Sequence, residues 1–127
     1  MFYSWLPMPD KRILLVEDEP EIRQLLSHTL RSAGYVVDVA ATAAEAWAQL
    51  NANAYASVIA DWRLPDGDGV IIADWAAEQG ARTFVMSGYL FQMPGGRAER
   101  HQTLMKPLRP SEIVAAVEHS IGKAEIG

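Results

Sequence analysis

The sequence contains no cysteine, so disulfide bonds, cysteine-ligated zinc and thiol catalysis are excluded. It also lacks a basic surplus: the formal net charge is −5, whereas a surface that binds nucleic-acid phosphates must be positive. There is no apolar run long enough to cross a membrane and no glycine-rich phosphate loop. We therefore expect neither nucleic acid nor a membrane as a direct partner, and a cytoplasmic location fits a chain without cysteine.

The length of 127 residues suits one compact domain with a core of its own. We expect an N-terminal extension at residues 1–10, a domain at residues 11–122 and a C-terminal tail at residues 123–127. The aromatic and apolar side chains of the extension include Phe2, Tyr3, Trp5 and Leu6. The extension is interpreted either as an end docked on the domain surface or as an arm that packs on a partner or on a second copy, which would make a homodimer.

Short apolar runs alternate with segments of helical spacing along the domain. The predicted strands are residues 13–16, 35–39, 56–60, 83–86 and 103–105, and the predicted helices begin at Pro20, Thr42, Val70 and Pro110. Between Tyr89 and His101 the stretch Met93-Pro94-Gly95-Gly96 permits only a shortened or irregular fourth helix. This alternation predicts an α/β fold with a doubly wound, five-stranded parallel sheet.

Some side chains can be assigned to the interior or the surface from spacing alone. In the third helix we expect Ile71, Ile72 and Trp75 to form the buried side. The three histidines do not have the spacing of metal ligands, and we interpret them as surface residues. They are His28, His101 and His119.

Polar side chains follow four of the predicted strands. Glu17 and Asp18 follow the first, Asp61 the third, Ser87 the fourth and Lys106 the fifth. Because parallel strands end at the same edge of a sheet, we expect these groups to lie close together. Two like charges about 4 Å apart repel by roughly 4 kcal/mol at an effective dielectric near 20. A hard divalent cation relieves that repulsion, so the oxygen-rich set predicts a magnesium site.

The same groups suit the transfer of a phosphoryl group to a carboxylate. Asp61 is the candidate nucleophile, which would become an aspartyl phosphate. The cation would bridge carboxylate and phosphoryl oxygens, Lys106 would neutralise a second oxygen, and Ser87 would donate a hydrogen bond to a third. No side chain is placed to activate a serine or cysteine nucleophile.

Four motifs in this order resemble those of the receiver domain of two-component response regulators, the CheY-like superfamily. They are Leu15-Val16-Glu17-Asp18-Glu19-Pro20, Asp61-Trp62-Arg63-Leu64-Pro65-Asp66-Gly67-Asp68-Gly69, Met86-Ser87-Gly88 and Lys106-Pro107. The resemblance covers residues 12–122. It implies a flavodoxin-like sheet with strand order 2-1-3-4-5 and a cis peptide bond between Lys106 and Pro107.

The resemblance also implies roles for individual residues. Asp61 would be the phosphoacceptor, and Mg²⁺ would be held by Glu17, Asp18, Asp61 and the main-chain carbonyl of Arg63. Arg63 and Tyr89 would flank the path of the attacking water and modulate the lifetime of the phosphoryl group. The phosphodonor would be a phosphohistidine on a sensor histidine kinase or a histidine phosphotransfer protein, and the output would be a protein target that the sequence does not name.

Besides Glu17, which stands where the family more commonly carries aspartate, two features depart from the family pattern. Members often carry Tyr or Phe three residues before the lysine, and the ring becomes buried on activation. This chain has Thr103 there, a third modulating residue, whose side chain is too small to report activation in that way. The segment from Ser87 to Lys106 is also a few residues short, with Pro94-Gly95-Gly96 where the fourth helix normally lies. Both changes fall on the face that the family usually uses for output.

We predict a stand-alone receiver that acts as a phosphorylation switch and signals through protein–protein contacts. Although it would take a phosphoryl group from its donor and slowly hydrolyse it, we expect a switch and not a turnover enzyme. Two alternatives stay open. The chain would be a degenerate receiver that serves as a non-phosphorylated interaction module, or a phosphate sink that drains a sensor kinase and needs no output surface.

Overall fold

The computed structural model describes residues 11–88, 96 and 98–124. The strands within them are β1 (Arg12–Val16), β2 (Val36–Ala40), β3 (Ser57–Asp61), β4 (Arg63–Leu64), β5 (Gly67–Asp68), β6 (Arg82–Ser87) and β7 (Gln102–Met105). The helices within them are α1 (Pro20–Ser32), α2 (Ala43–Ala52), α3 (Gly69–Glu78) and α4 (Pro110–Ile121).

Five of the strands form one parallel sheet in the order β2-β1-β3-β6-β7. Since β6 and β7 are the fourth and fifth strands of this sheet along the chain, the order is the predicted 2-1-3-4-5. The short strands β4 and β5 pair with each other as a separate antiparallel ladder. The doubly wound, flavodoxin-like fold predicted from the sequence is confirmed.

The sheet is covered on both faces because its inner strands are apolar on both faces. In β1, Leu14 and Val16 belong to the hydrophobic cluster that contains residues of α2 and α3. Ile13 and Leu15 belong to the cluster that contains residues of α1 and α4. All four side chains are fully buried. This alternation places helices on both faces and leaves the strand ends as the accessible edge.

The helix boundaries follow local signals in the sequence. Pro20 lies in the first turn of α1, where its missing N–H needs no partner. Thr42 precedes α2, and its Oγ1 accepts a hydrogen bond from the Glu45 N–H at 3.1 Å. The Glu45 carboxylate accepts one from the Ala41 N–H at 3.2 Å, so Thr42 and Glu45 form a variant of the capping box.

Two assignments of side chains to the interior or the surface were wrong. Ile71 is 56% exposed, because the inward side of α3 is formed by Val70, Ile72 and the small residues Ala73 and Ala76. His101 is buried because it fills a polar position between α3 and β6, described below. Trp75 is partly buried, and its ring meets that of Trp47 edge to face with centroids 5.9 Å apart.

Several predictions fall outside the described residues. The N-terminal extension, Tyr89 and most of the expected irregular fourth helix lie there, and residues 98–100 after it form turns. Among the four helices of the described ranges, none combines the length and the apolar character that crossing a bilayer requires.

Candidate functional site

The predicted site residues meet at the carboxyl edge of the sheet. Asp61 is the last residue of β3, a strand in which all five residues are buried. Glu17 and Asp18 directly follow β1, and Ser87 is the last residue of β6. Lys106 directly follows β7, and its backbone N–H donates to the Ser87 carbonyl at 3.1 Å. The structure therefore brings together all five side chains that the sequence predicted.

Three of these side chains form a compact set of oxygen ligands. One carboxylate oxygen from each of Glu17, Asp18 and Asp61 lies within 4.8 Å of the others. Glu17 is fully buried, and its second oxygen, Oε2, accepts a hydrogen bond from the Glu19 N–H at 3.1 Å. Hard carboxylate oxygens at this spacing, beside an open cavity with room for water, fit the ligand preferences of magnesium.

Lys106 places its ammonium group between two of the acids. Its Nζ lies 2.5 Å from Oε1 of Glu17 and 3.2 Å from Oδ2 of Asp61. The peptide bond between Lys106 and Pro107 is cis, as the family resemblance implied. The longer side chain of Glu17, where family members commonly carry aspartate, reaches both the carboxylate cluster and the lysine.

Burial and neighbouring charges shift the pKa values of the acids and the lysine in this site. The pKa of Asp61 is raised to about 7, first by burial and then by the negative charge of Glu17, while the charge of Lys106 acts in the opposite direction. Burial also raises the pKa of Glu17. For Lys106, burial alone would lower the pKa, but the hydrogen bond to Glu17 and the charge of Asp61 raise it. The lysine therefore stays charged, while the acids resist ionising together in the absence of a further cation.

The site opens into a cavity of about 660 Å³ with a mixed wall. The polar part of the wall contains Asp18, Asp61, Arg63, Ser87 and Lys106. The apolar part comes from α1 and from the segment after Lys106, with Ile22, Leu25, Leu26, Pro107 and Leu108. Leu25 on α1 is 49% exposed and lies in this wall.

The loop after Asp61 is held by contacts that the sequence did not reveal. The carboxylate of Asp66 accepts hydrogen bonds from the N–H groups of Ala43 at 2.7 Å and Ala44 at 3.0 Å, at the start of α2. The guanidinium of Arg63 lies over the ring of Trp62, 4.5 Å from its centroid. Pro65-Asp66-Gly67 is typical of a turn, but no local signal in the sequence could name α2 as the partner of Asp66.

Two of the three positions predicted to modulate the phosphoryl group lie within the described residues. Arg63 is exposed and lines the cavity. That its main-chain carbonyl binds the metal stays a prediction. Thr103 is exposed in β7 and lies opposite Val85 in the sheet register. Tyr89 lies outside the described residues.

A doubly wound sheet with an acidic cluster, a hydroxyl and a lysine at its carboxyl edge defines a receiver-like protein. A family profile described as "Response regulator receiver domain" matches residues 13–118. The chain therefore belongs to the response regulator receiver domain family, whose members act as signalling switches.

Individual relatives agree with this assignment. The response regulator Rre1 of Synechocystis sp. is 32% identical over 121 residues, which cover 89% of this chain and 52% of Rre1. The chain spans about half the length of the curated relatives it matches. A CheY-like receiver domain from Methanospirillum hungatei JF-1 superposes with a TM-score of 0.80 at 26% identity, covering 87% of this chain and 93% of that one.

A third relative has been solved in two informative states. The response regulator TrrA of Thermotoga maritima, in complex with Mg(2+)-BeF, superposes with a TM-score of 0.77 at 28% identity, covering 86% of this chain and 97% of TrrA. TrrA in complex with the histidine kinase ThkA superposes with a TM-score of 0.76 at 27% identity, covering 87% of this chain and 98% of that one.

Proposed function

We propose that this chain is a phosphorylation switch of a two-component phosphorelay, with Asp61 as the phosphoacceptor. The observation that carries the proposal is the position of Asp61 at the end of a central strand. Its carboxylate is mostly buried, lies in one oxygen cluster with those of Glu17 and Asp18, and is 3.2 Å from Lys106 Nζ. Membership of the receiver family supports the same conclusion.

Each group in the site has a defined task in the transfer. An oxygen of the Asp61 carboxylate attacks the phosphorus of a phosphohistidine, the P–N bond breaks, and the imidazole nitrogen leaves with the bonding electrons. Lys106 neutralises charge on a phosphoryl oxygen, and the hydroxyl of Ser87 donates a hydrogen bond to another. Attack of water on the aspartyl phosphate later resets the switch, and Arg63, Tyr89 and Thr103 modulate its lifetime and its output.

Magnesium fits the carboxylate cluster. Glu17, Asp18, Asp61 and the main-chain carbonyl of Arg63 would hold it, with Asp18 and Asp61 facing the cavity. When bound, the ion supplies positive charge beside the phosphoryl oxygens. The complex of TrrA with Mg(2+)-BeF supports this assignment by analogy.

The phosphodonor in this proposal is a sensor histidine kinase or a histidine phosphotransfer protein, which the complex of TrrA with the kinase ThkA supports. The output is contact with a further protein, and a cytoplasmic location suits exchange with both partners. Neither nucleic acid nor a membrane is a direct partner of this domain in the proposal, which is consistent with its net charge of −5.

Intact-mass analysis after incubation with acetyl phosphate and magnesium tests the proposal. The expected result is the added mass of one phosphoryl group on the wild-type chain and none on the Asp61→Asn variant. A wild-type chain that gains no phosphoryl group and binds no magnesium would instead support the interaction module. An adduct of equal yield on Asp61→Asn would show that another residue is modified.

A phosphate sink is the second candidate function, because Thr103 is small and exposed and a sink needs no aromatic reporter on β7. The two candidates differ in what phosphorylation changes. A switch gains or loses affinity for a target when Asp61 is phosphorylated, whereas a sink lowers the phosphorylation of a second regulator that shares its kinase. Competition between the two regulators in a reconstituted phosphotransfer assay separates them.

A further inference from the structure

A buried histidine outside the phosphoryl site links two elements that carry parts of it. The side chain of His101 is 0% exposed. Its Nδ1 lies 2.5 Å from Oγ1 of Thr83 in β6, and its Nε2 lies 2.6 Å from Oδ1 of Asp74 in α3. A guanidinium nitrogen of Arg100 lies 3.7 Å from the same Asp74 oxygen. We name the three linked side chains the Asp74–His101–Thr83 bridge.

The bridge has the order of an acid, an imidazole and a hydroxyl, as in a hydrolase triad, but it lacks the surroundings of an active site. Thr83 is 7% exposed. None of the three residues lines the cavity at the phosphoryl site or the smaller cavity between the ends of α2 and α3. A nucleophile needs space for a substrate beside it. These surroundings favour a structural role for the bridge over a catalytic one.

The element whose position depends most on this bridge is β7. This strand lies at the edge of the sheet and pairs only with β6 among the described strands. Gln102, Thr103 and Met105 are exposed, and Leu104 is only partly buried against the core. Apolar burial therefore contributes little to holding β7, so a buried polar anchor immediately before its first residue matters more.

The opposite end of β7 leads directly into Lys106. A four-residue strand spans roughly 13 Å, so a shift or twist at His101 is transmitted to the lysine. The bridge also reaches α3, which begins at Gly69, and the Gly69 N–H donates to the Trp62 carbonyl at 2.7 Å, next to Asp61. It thus connects the strand that leads into the lysine with the helix that follows the phosphoacceptor loop.

We propose that His101 is a positioning residue for Lys106: through the bridge it fixes the start of β7 and thereby the place of the lysine ammonium beside Asp61. This role in the reaction rests on the proposed function. Histidine suits it because its two ring nitrogens point in different directions and reach a strand and a helix at once. Asp74 only accepts, so Nε2 of His101 must donate to it, while the Thr83 hydroxyl can donate to a bare Nδ1 or accept from a protonated one; the bridge is satisfied by the Nε2–H tautomer and by the protonated ring.

Substitutions at His101 can separate the two halves of the bridge. His101→Phe keeps a ring but removes both nitrogens. His101→Asn retains a polar atom near the place of Nδ1, and His101→Gln retains one near the place of Nε2, so each keeps one partner. His119→Phe is a matched control, because His119 is exposed on α4. Leu50→Ala in α2 is a control for lost stability on the other side of the molecule, far from β7 in sequence.

The first measurement is the rate of Asp61 phosphorylation by acetyl phosphate at saturating magnesium, beside the magnesium dissociation constant. We expect His101→Phe to react about tenfold more slowly or worse, since small displacements of a positioned group have large effects on rate. Magnesium affinity should stay unchanged, because Glu17 and Asp18 follow β1 and Asp61 ends β3, so β7 carries none of the three carboxylates. The Asn and Gln variants should be intermediate, and the two controls should react at the wild-type rate.

The second measurement is amide hydrogen exchange in the strands, which does not depend on phosphorylation. We expect about tenfold faster exchange at Leu104 and Lys106 in His101→Phe, with β1 and β3 unchanged. The proposal is overturned if His101→Phe keeps both the wild-type phosphorylation rate and the wild-type exchange rates. It is also overturned if His101→Phe and Leu50→Ala lose phosphorylation rate and magnesium affinity to the same extent. If the wild-type chain forms no Asp61 adduct, the proposed function fails, and exchange alone then decides whether the bridge positions β7.

Discussion

At the scale of single residues, the position of Asp61, the proposed phosphoacceptor, depends on a glycine across its own loop. A β-carbon at Gly69 would lie 1.9 Å from the carbonyl oxygen of Asp61 and 2.8 Å from its carbonyl carbon. We expect Gly69→Ala to lower the free energy of unfolding by about 1–3 kcal/mol or more, the usual cost of overpacking, because a backbone group cannot swing aside. It should also weaken magnesium binding by displacing Asp61. Urea denaturation and a magnesium titration measure the two effects.

Gly88 offers the matched control for this substitution. It also follows a site residue, Ser87, but a β-carbon there would meet nothing within 4 Å. Gly88→Ala should therefore unfold at nearly the wild-type urea concentration. Equal stability of the Gly69 and Gly88 variants would show that the main chain of Asp61 can move away without cost.

Residues differ in how far the sequence could predict them. Asp61, Ser87 and Lys106 were predictable because each comes at the end of an apolar run, and parallel strands carry such ends to one edge. His101 was not, because its partners Asp74 and Thr83 lie 27 and 18 residues away, and no local pattern marks them as neighbours. The lack of metal-ligand spacing among the three histidines wrongly indicated a surface position for His101.

At the scale of elements, the loop after Asp61 is braced against α2. The ladder of β4 and β5 presents Asp66, whose carboxylate accepts from the first two N–H groups of α2. An anion there satisfies N–H donors that would otherwise be unpaired, and its charge interacts favourably with the positive end of the helix dipole. We expect Asp66→Ala to lower the stability of the fold at pH 7 and Asp66→Asn to lower it less, since the amide oxygen can still accept one bond.

The pH dependence of this effect is distinctive. The two backbone N–H groups lower the pKa of Asp66, so its stabilising contribution is present above the usual aspartate pKa of 3.8 and is lost as the pH falls through the lower folded value. Denaturation of the wild type and Asp66→Ala at pH 7 and in acid below that value checks this. A stability difference that does not shrink in acid would mean that the charge of Asp66 is unimportant.

Long elements were predictable and short ones were not. Runs with apolar residues on both faces predicted β1 and β3, and helical spacing bounded by Pro20 and Gly34 predicted α1. The ladder of β4 and β5 has strands of two residues each, which is too short for any periodic pattern, and the sequence indicated only a turn there. The inward side of α3 was misassigned at Ile71 because small residues, not the largest ones, face the sheet.

At the scale of the whole molecule, three carboxylates at the ends of adjacent inner strands link stability to pH and magnesium. The folded pKa of Asp61 is about 7, against a usual value of 3.8, chiefly because of burial. Between these values the folded state holds a proton that the unfolded chain has released, so the metal-free protein should lose stability as the pH rises towards 7. Asp61→Asn should weaken this dependence and should be more stable than the wild type at pH 8 without metal.

Magnesium should reverse the loss, because it binds the ionised cluster of the folded chain. At pH 8 and a free concentration of one hundred times its dissociation constant, the ion should stabilise the fold by about 2.7 kcal/mol. The same concentration should have a much smaller effect at pH 5.5, where folded Asp61 is protonated and the proton competes with the ion. Thermal denaturation with magnesium chloride, against sodium chloride of equal ionic strength, separates binding from screening. Equal shifts in the wild type and Asp61→Asn, or equal shifts at both pH values, would show that the ion does not bind at the carboxylates of this sheet edge.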